Sequence, residues 1–194
     1  MSLLENALEA FDEINSQDPR RQSYQNRNHP REWIFSVRVS DWIERLDSNA
    51  PEAVRLAARA HTLRRWEIPR DRYAMDNDGY HEWRRATALH SARAAGEILR
   101  RIGYWDDVID RVRGLILRET VPDDPDARLL EDADCLAFLE MKLQDYLPRW
   151  DEKKLGRILQ GTWAKMSPAA RQLALELPIP GFVKKIIDDF KGLR

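Results

Sequence analysis

The chain has 194 residues, 43% hydrophobic and 34% charged, with a formal net charge of −1. That length favours one domain able to bury a real core. The charge balance gives no whole-protein field favouring nucleic acid or an anionic membrane, and no apolar run approaches the ~20 residues of a membrane span.

The periodicity predicts eight or nine helices and no strand: an all-α single domain covering 1–194, with a core over about 31–147 and C-terminal helices over 151–194 packed on it. Ser2 and Glu5 form a capping box that opens a helix to about Ile14, with Leu4, Leu8 and Phe11 inward. This acidic, amphipathic start does not suit a signal peptide. Residues 16–30 are polar, contain two prolines and read as a loop. Pro30 starts a second helix with a stripe of Trp33, Ile34, Val37 and Ile43, and Pro51 starts a third running to about Trp66.

Asp78-Gly79 marks a turn before a long fourth helix from Tyr80 to about Ile102, stopped by Gly103. The DNDG of 76–79 resembles a calcium loop only faintly, because Thr87 stands where the loop's twelfth-position Glu belongs. Asp106 or Asp107 caps a fifth helix, and VPDDPD breaks to a sixth that ends before Pro148. A seventh runs from about Asp151 to Lys165, Ser167-Pro168 caps an eighth, and LPIPG precedes a short last one. The single Cys135 excludes an internal disulfide framework and fits a reducing cytoplasm, the location expected by elimination. It lies in an apolar run and reads as a buried, inert thiol.

Four ionisable residues fall where helical periodicity asks for apolar ones: His61, His90, Glu119 and Asp134, each on a different predicted helix. Residues three, four and seven apart share a helix face, so all four are expected inward, their side chains converging within about 10 Å of one centre. Buried carboxylates and imidazoles need pairing, hydrogen bonding or a metal. Such a set suits Mn, Fe, Co, Ni or Zn, since imidazole is present, and the same four are the candidate catalytic groups. Glu97 and Glu131 are reserves. Arg38, Arg64, Arg65 and Arg70 flank His61 and form a candidate phosphate clamp, since guanidinium forks bind phosphate bidentately. For each of them the ordinary alternative is a surface salt bridge. Trp66, Trp83 and Tyr73 are candidates to stack a base, although aromatic residues at helical spacing are more often core, and Trp83 reads as core.

Several motifs carry a family resemblance. HSARAAGEILRRIGY from His90, followed by VIDRV from Val108, resembles a helix pair of the HD phosphohydrolase superfamily. LEDADCLAFLE (130–140) resembles the helix supplying that superfamily's last aspartate, which assigns the role to Asp134. AARAHTL (57–63) resembles the helix with its His-Asp pair, which assigns the histidine to His61. The match is partial: Thr62 stands where the pair's aspartate would be, the first histidine falls near Phe35-Ser36, and the later paired histidines fall near Arg118-Glu119. Over about residues 33–168 the chain also resembles an uncharacterised family, domain of unknown function 4202, through SVRVSDWIERL, RLAARAHTLRRWEIPR, YAMDNDGYHEWR, HSARAAGEILR, LEDADCLAFLE and TWAKMSP.

Two function classes follow. One is a metal-dependent phosphohydrolase acting on a nucleotide or small phosphate ester, the metal activating a bound water. The other is a non-catalytic protein that binds a small anion, a nucleotide or a partner on a degenerate HD scaffold. A di-iron oxygenase on the same helical frame is a third and weaker option. Oligomeric state is left open.

Overall fold

The computed structural model describes residues 2–118, 123–149 and 151–191. Among these, α1 (Leu3–Asn15) leads into a hairpin of β1 (Arg21–Tyr24) and β2 (Arg27–Pro30). Then come α2 (Arg31–Leu46), α3 (Glu52–Ala60), short 3-10 turns at Arg65–Glu67 and Arg70–Arg72, α4 (Asn77–Ile102) and α5 (Asp106–Leu117). The helix α6 (Pro125–Ala137) continues through a π-helical segment (Phe138–Lys142) into α7 (Leu143–Tyr146), and α8 (Glu152–Lys165), α9 (Pro168–Glu176) and α10 (Gly181–Lys191) follow. Counting α6 to α7 as one helical stretch gives nine helices among the described residues. The contacts divide the chain into two compact units, residues 1–130 and 131–194, and the division falls inside α6.

Most helix ends are written in local sequence. Ser2 Oγ accepts from Glu5 N–H at 3.1 Å while Glu5 Oε2 accepts from Ser2 N–H at 2.7 Å, the reciprocal capping box. Asp76, Asp151 and Ser167 each cap a helix with a side-chain oxygen. Gly103 ends α4 with φ +104°, a left-handed conformation that costs glycine little.

The hairpin corrects the loop expected over 16–30. Arg21 lies opposite Pro30 and Tyr24 opposite Arg27, joined through Gln25 and Asn26, both left-handed at φ 49° and 61°. Two positive-φ residues give the turn the twist that antiparallel strands require. The strands bury only Gln22, so no apolar alternation announced them. An ionic network secures the hairpin's base instead. Asp18, 1% exposed, accepts from Arg20 through both carboxylate oxygens and from the backbone N–H of Glu32 at 3.0 Å. Arg20 also reaches buried Glu32 at 2.8 Å. Pro30, at the N-cap position of α2, offers no capping side chain, and Asp18 supplies the cap from fourteen residues upstream.

In the 1–130 unit, α4 packs most extensively on α5, and α3 packs on α2 and α5. A Cβ added at Gly96 would stand 3.2 Å from Arg113 Cδ and 3.4 Å from Ile109 Cγ2, so glycine permits the close approach of α4 to α5. Val54, Leu56, Leu63, Leu99, Ile109 and Leu115 are fully enclosed. In the 131–194 unit, Leu136, Leu139, Leu143, Leu159 and Ile187 are buried, as is the Cys135 thiol. There Asp132 accepts from the backbone N–H of Ser167 at 2.8 Å, and Lys165 pairs with buried Glu131 at 3.5 Å, tying α6 to the α8–α9 junction.

No helix among the described residues is long and apolar enough to cross a membrane.

Candidate functional site

The helix expected to reach Trp66 stops at Ala60, and His61 occupies its C-cap. His61 Nδ1–H donates to Ala58 O at 2.8 Å, which fixes Nε2 as the acceptor of the neutral ring. Arg64 then takes a left-handed conformation at φ 54°, which turns the chain out of the helical path. The segment that follows is pinned along α4: Ser91 Oγ donates to Leu63 O at 2.9 Å, and Trp83 Nε1–H donates to Ile68 O at 2.8 Å. The Arg65 guanidinium lies over the Trp83 ring at 4.8 Å.

Beside this turn, within the 1–130 unit, lies an open cavity of about 540 Å³. His61 and Arg65 come from the end of α3 and the turn after it; Arg84, Arg85 and Thr87 from α4; and Arg118 from the C-cap of α5. Ala88, Leu89, Ile116 and Leu117 add an apolar strip. The volume falls within the range of about 300–1,000 Å³ typical of small-ligand sites. Four guanidinium groups line it, and no carboxylate does among the described residues. Guanidinium remains protonated at any physiological pH. The cationic character of the cavity is therefore permanent.

Helix ends could account for some of this charge, because α3 and α5 both present C-terminal carbonyl groups here and cations favour that pole. They do not account for Arg84 and Arg85, whose side chains make no ion pair or hydrogen bond among the described residues. The nearby Thr87, 3% exposed, donates its hydroxyl to Arg84 O at 3.0 Å.

Of the four residues expected to converge, His61 lines the cavity and is half-buried. His90 is not among the lining residues. Its side chain is 31% exposed, and Nε2–H donates to Glu67 Oε2 at 2.9 Å, which holds the 3-10 turn against α4. The stripe used to place His90 inward contains Trp83, Ala86 and Ala94, all half-buried; the buried face of α4 runs instead through Thr87, Ser91, Ala95 and Ile98. Ser91 on that face donates to Leu63 O, so it packs on the segment after α3, while Gly96 meets Arg113 and Ile109 of α5. Asp134 is half-buried in the 131–194 unit, where the buried acids are its neighbours Glu131 and Asp132. Glu119 lies outside the described residues. Glu97 is exposed and pairs with Arg93 at 3.0 Å. Among the described residues, no group of three or more His, Cys, Asp or Glu side chains is gathered as a metal site.

Of the expected phosphate clamp, Arg65 alone lines the cavity. Arg38 pairs with Asp41 at 2.6 Å and lies over Tyr24, Arg64 approaches Glu67 at 3.9 Å, and Arg70 donates to the carbonyls of Tyr73 and Asp76. Arg84, Arg85 and Arg118 were not singled out from sequence. A signal for Arg84 existed: on a long helix it has no acidic residue three or four positions before or after it, whereas Arg85 has Glu82 three positions before it.

The elements thus define an all-helical protein with a small hairpin and an arginine-lined cavity beside a helix-capping histidine. The family described as Domain of unknown function (DUF4202) matches residues 5–187, and the chain belongs to it. Comparison with curated proteins and with solved structures returns no match.

Proposed function

We propose that this protein binds a small phosphate-bearing ligand in the cavity beside His61, without catalysis being required of the site. One observation carries the reading: four arginines and a histidine surround a single cavity with no lining carboxylate among the described residues. Arg84 and Arg85 make no ion pair or hydrogen bond among the described residues, so their guanidinium groups are available to an anion in the cavity. Phosphate oxygens suit guanidinium geometry through paired hydrogen bonds. The resemblance of AARAHTL to a phosphohydrolase helix supports the same location, since it assigns to His61 the histidine of that superfamily's His-Asp pair. A cytoplasmic setting, where phosphorylated metabolites abound, belongs to the proposal and rests on the lone reduced Cys135.

The metal-dependent phosphohydrolase is the second reading, and His61 on the cavity wall is the observation that favours it. It needs His90, Glu119 and Asp134 to join that histidine around Mn, Fe, Co, Ni or Zn. It also needs the cation held near four arginines, an arrangement Coulomb repulsion opposes unless the substrate's phosphate lies between them.

Calorimetric titration with inorganic phosphate and pyrophosphate tests the binding reading, with metal analysis of protein purified without chelators run alongside. Saturable anion binding by metal-free protein is the expected result. Stoichiometric metal, with phosphate-ester hydrolysis that a chelator abolishes, would move the assignment to the hydrolase. Absence of any anion binding would remove the proposal.

A further inference from the structure

The lining of the cavity also bears on what the phosphate is attached to, and the inference drawn from it rests on the anion-binding reading above. We infer that the ligand is a phosphate monoester with an apolar group next to the phosphate, so that the site recognises an amphipathic anion.

The geometry comes from α4. Arg84 and Arg85 line the cavity and make no ion pair or hydrogen bond among the described residues. Ala88 and Leu89 line it too, each four positions after one of these arginines. Residues four apart share a helix face, and their side chains all lean toward the helix N-terminus. The available charge and the apolar pair therefore stay one turn apart, about 5.4 Å along the axis. Ligand atoms a few bonds from a phosphate held by Arg84 and Arg85 meet aliphatic carbon.

Leu89 gives this strip its consequence. It is 53% exposed, whereas Leu99 of the same helix and Leu115 of α5 are fully enclosed. A single exposed leucine is ordinary, but this one adjoins Ala88 and shares the cavity wall with Ile116 and half-buried Leu117 of α5. Beside the strip, Thr87 already gives its O–H to Arg84 O. A hydroxyl-bearing group laid on the strip would lose water without regaining hydrogen bonds from its aliphatic side chains, whereas an apolar group is favoured there. The His61 ring and the guanidinium planes offer stacking faces elsewhere on the wall. A ring farther along the ligand is therefore compatible with the site.

Isothermal titration at fixed ionic strength with orthophosphate, methyl, butyl and hexyl phosphate, glycerol phosphate and adenosine monophosphate tests the inference. Complete burial of a methylene strengthens binding about fourfold, and half-burial in an open cavity about twofold. Hexyl phosphate should then bind about thirtyfold tighter than methyl phosphate, with glycerol phosphate close to methyl phosphate. Leu89→Ala should lower the hexyl-to-methyl ratio about threefold or more. Arg85→Gln should weaken every member about fivefold and keep the ratio. Leu89 and Arg85 are both exposed, so neither substitution disturbs the core. Affinity independent of chain length, or an unchanged ratio in Leu89→Ala, would overturn the inference and leave the anion-binding reading standing. Tighter binding of adenosine monophosphate or glycerol phosphate than of hexyl phosphate would overturn the apolar group in the same way. Failure of every phosphate to bind, orthophosphate included, would bring down the anion-binding reading and this inference with it.

Discussion

Arginines serve two purposes in the 1–130 unit, and the contrast between the hairpin base and the cavity shows what separates them. At the hairpin base, Arg20 faces two buried carboxylates, Asp18 and Glu32. Burial lowers its pKa, but the hydrogen bond to Asp18 and the attraction of Glu32 outweigh that, and the net shift is upward. Arg111 is similarly matched: hydrogen bonds to Asp124 and Asp126 push its pKa up, and Asp124 also caps the first turn of α6. These arginines are neutralised by their own fold. At the cavity four guanidinium groups share a wall with no lining carboxylate among the described residues. A matched arginine holds structure together. Arg84 and Arg85, which make no ion pair or hydrogen bond among the described residues, leave their charge open to a bound anion.

The sharpest way to break this comparison is at the matched end. Asp18→Ala deletes the cap of α2, the three hydrogen bonds from Arg20 and a charge that balances it. It should cost about 2–4 kcal/mol, moderated because Arg20 is partly solvated. Urea denaturation of this variant beside Arg84→Ala gives the contrast directly, since the latter should stay within about 0.5 kcal/mol of wild type. Equal losses in the two would mean that Arg84 is structurally spent and would undo the distinction.

A smaller effect is expected at His90, which the sequence grouped with His61 and the structure pairs with Glu67. His90→Ala should cost less than about 1 kcal/mol, as for other partly exposed pairs, and should leave pyrophosphate affinity unchanged. A loss of anion binding with an intact fold would return His90 to the site.

The smallest effect is alkaline. Burial and a 2.5 Å hydrogen bond to Glu52 push the Tyr104 phenol above its ordinary range. The native state then holds that proton more tightly than the unfolded chain does. The stabilisation is whole below the ordinary tyrosine value of about 10 and declines as pH rises past it. Phenolate absorbance should show one late-titrating tyrosine that Tyr104→Phe removes, and melts above about pH 10 should fall less steeply for the variant.

How much was legible depended on the range of the interaction. The capping box at Ser2, the caps at Asp151 and Ser167-Pro168, and the stop at Gly103 were readable because each is a bond between residues within one turn. The hairpin was missed because its stability comes from Asp18 and Glu32, fourteen residues apart, and not from an apolar pattern. Periodicity placed His90 inward by extending the stripe of Trp83 and Ala86, whereas the buried face runs through Thr87, Ser91 and Ala95, with Ser91 bonded to Leu63 O of the remote segment after α3. For His61 the stripe was extended past Ala60, where the histidine's own bond to Ala58 O joins the capping that closes the helix.

The sequence by itself therefore determined the helical class, most element boundaries, the family and His61 as a residue of interest. These depend on backbone preferences and on contacts between near neighbours in the chain. Which arginines share a cavity was decided only by tertiary structure. Arg65, Arg84 and Arg118 are separated by 19 and 34 positions, and the packing of α3, α4 and α5 alone brings them together. Sequence marks a charge as present, but its partners are set by distance, and distance between remote segments exists only once the core has formed.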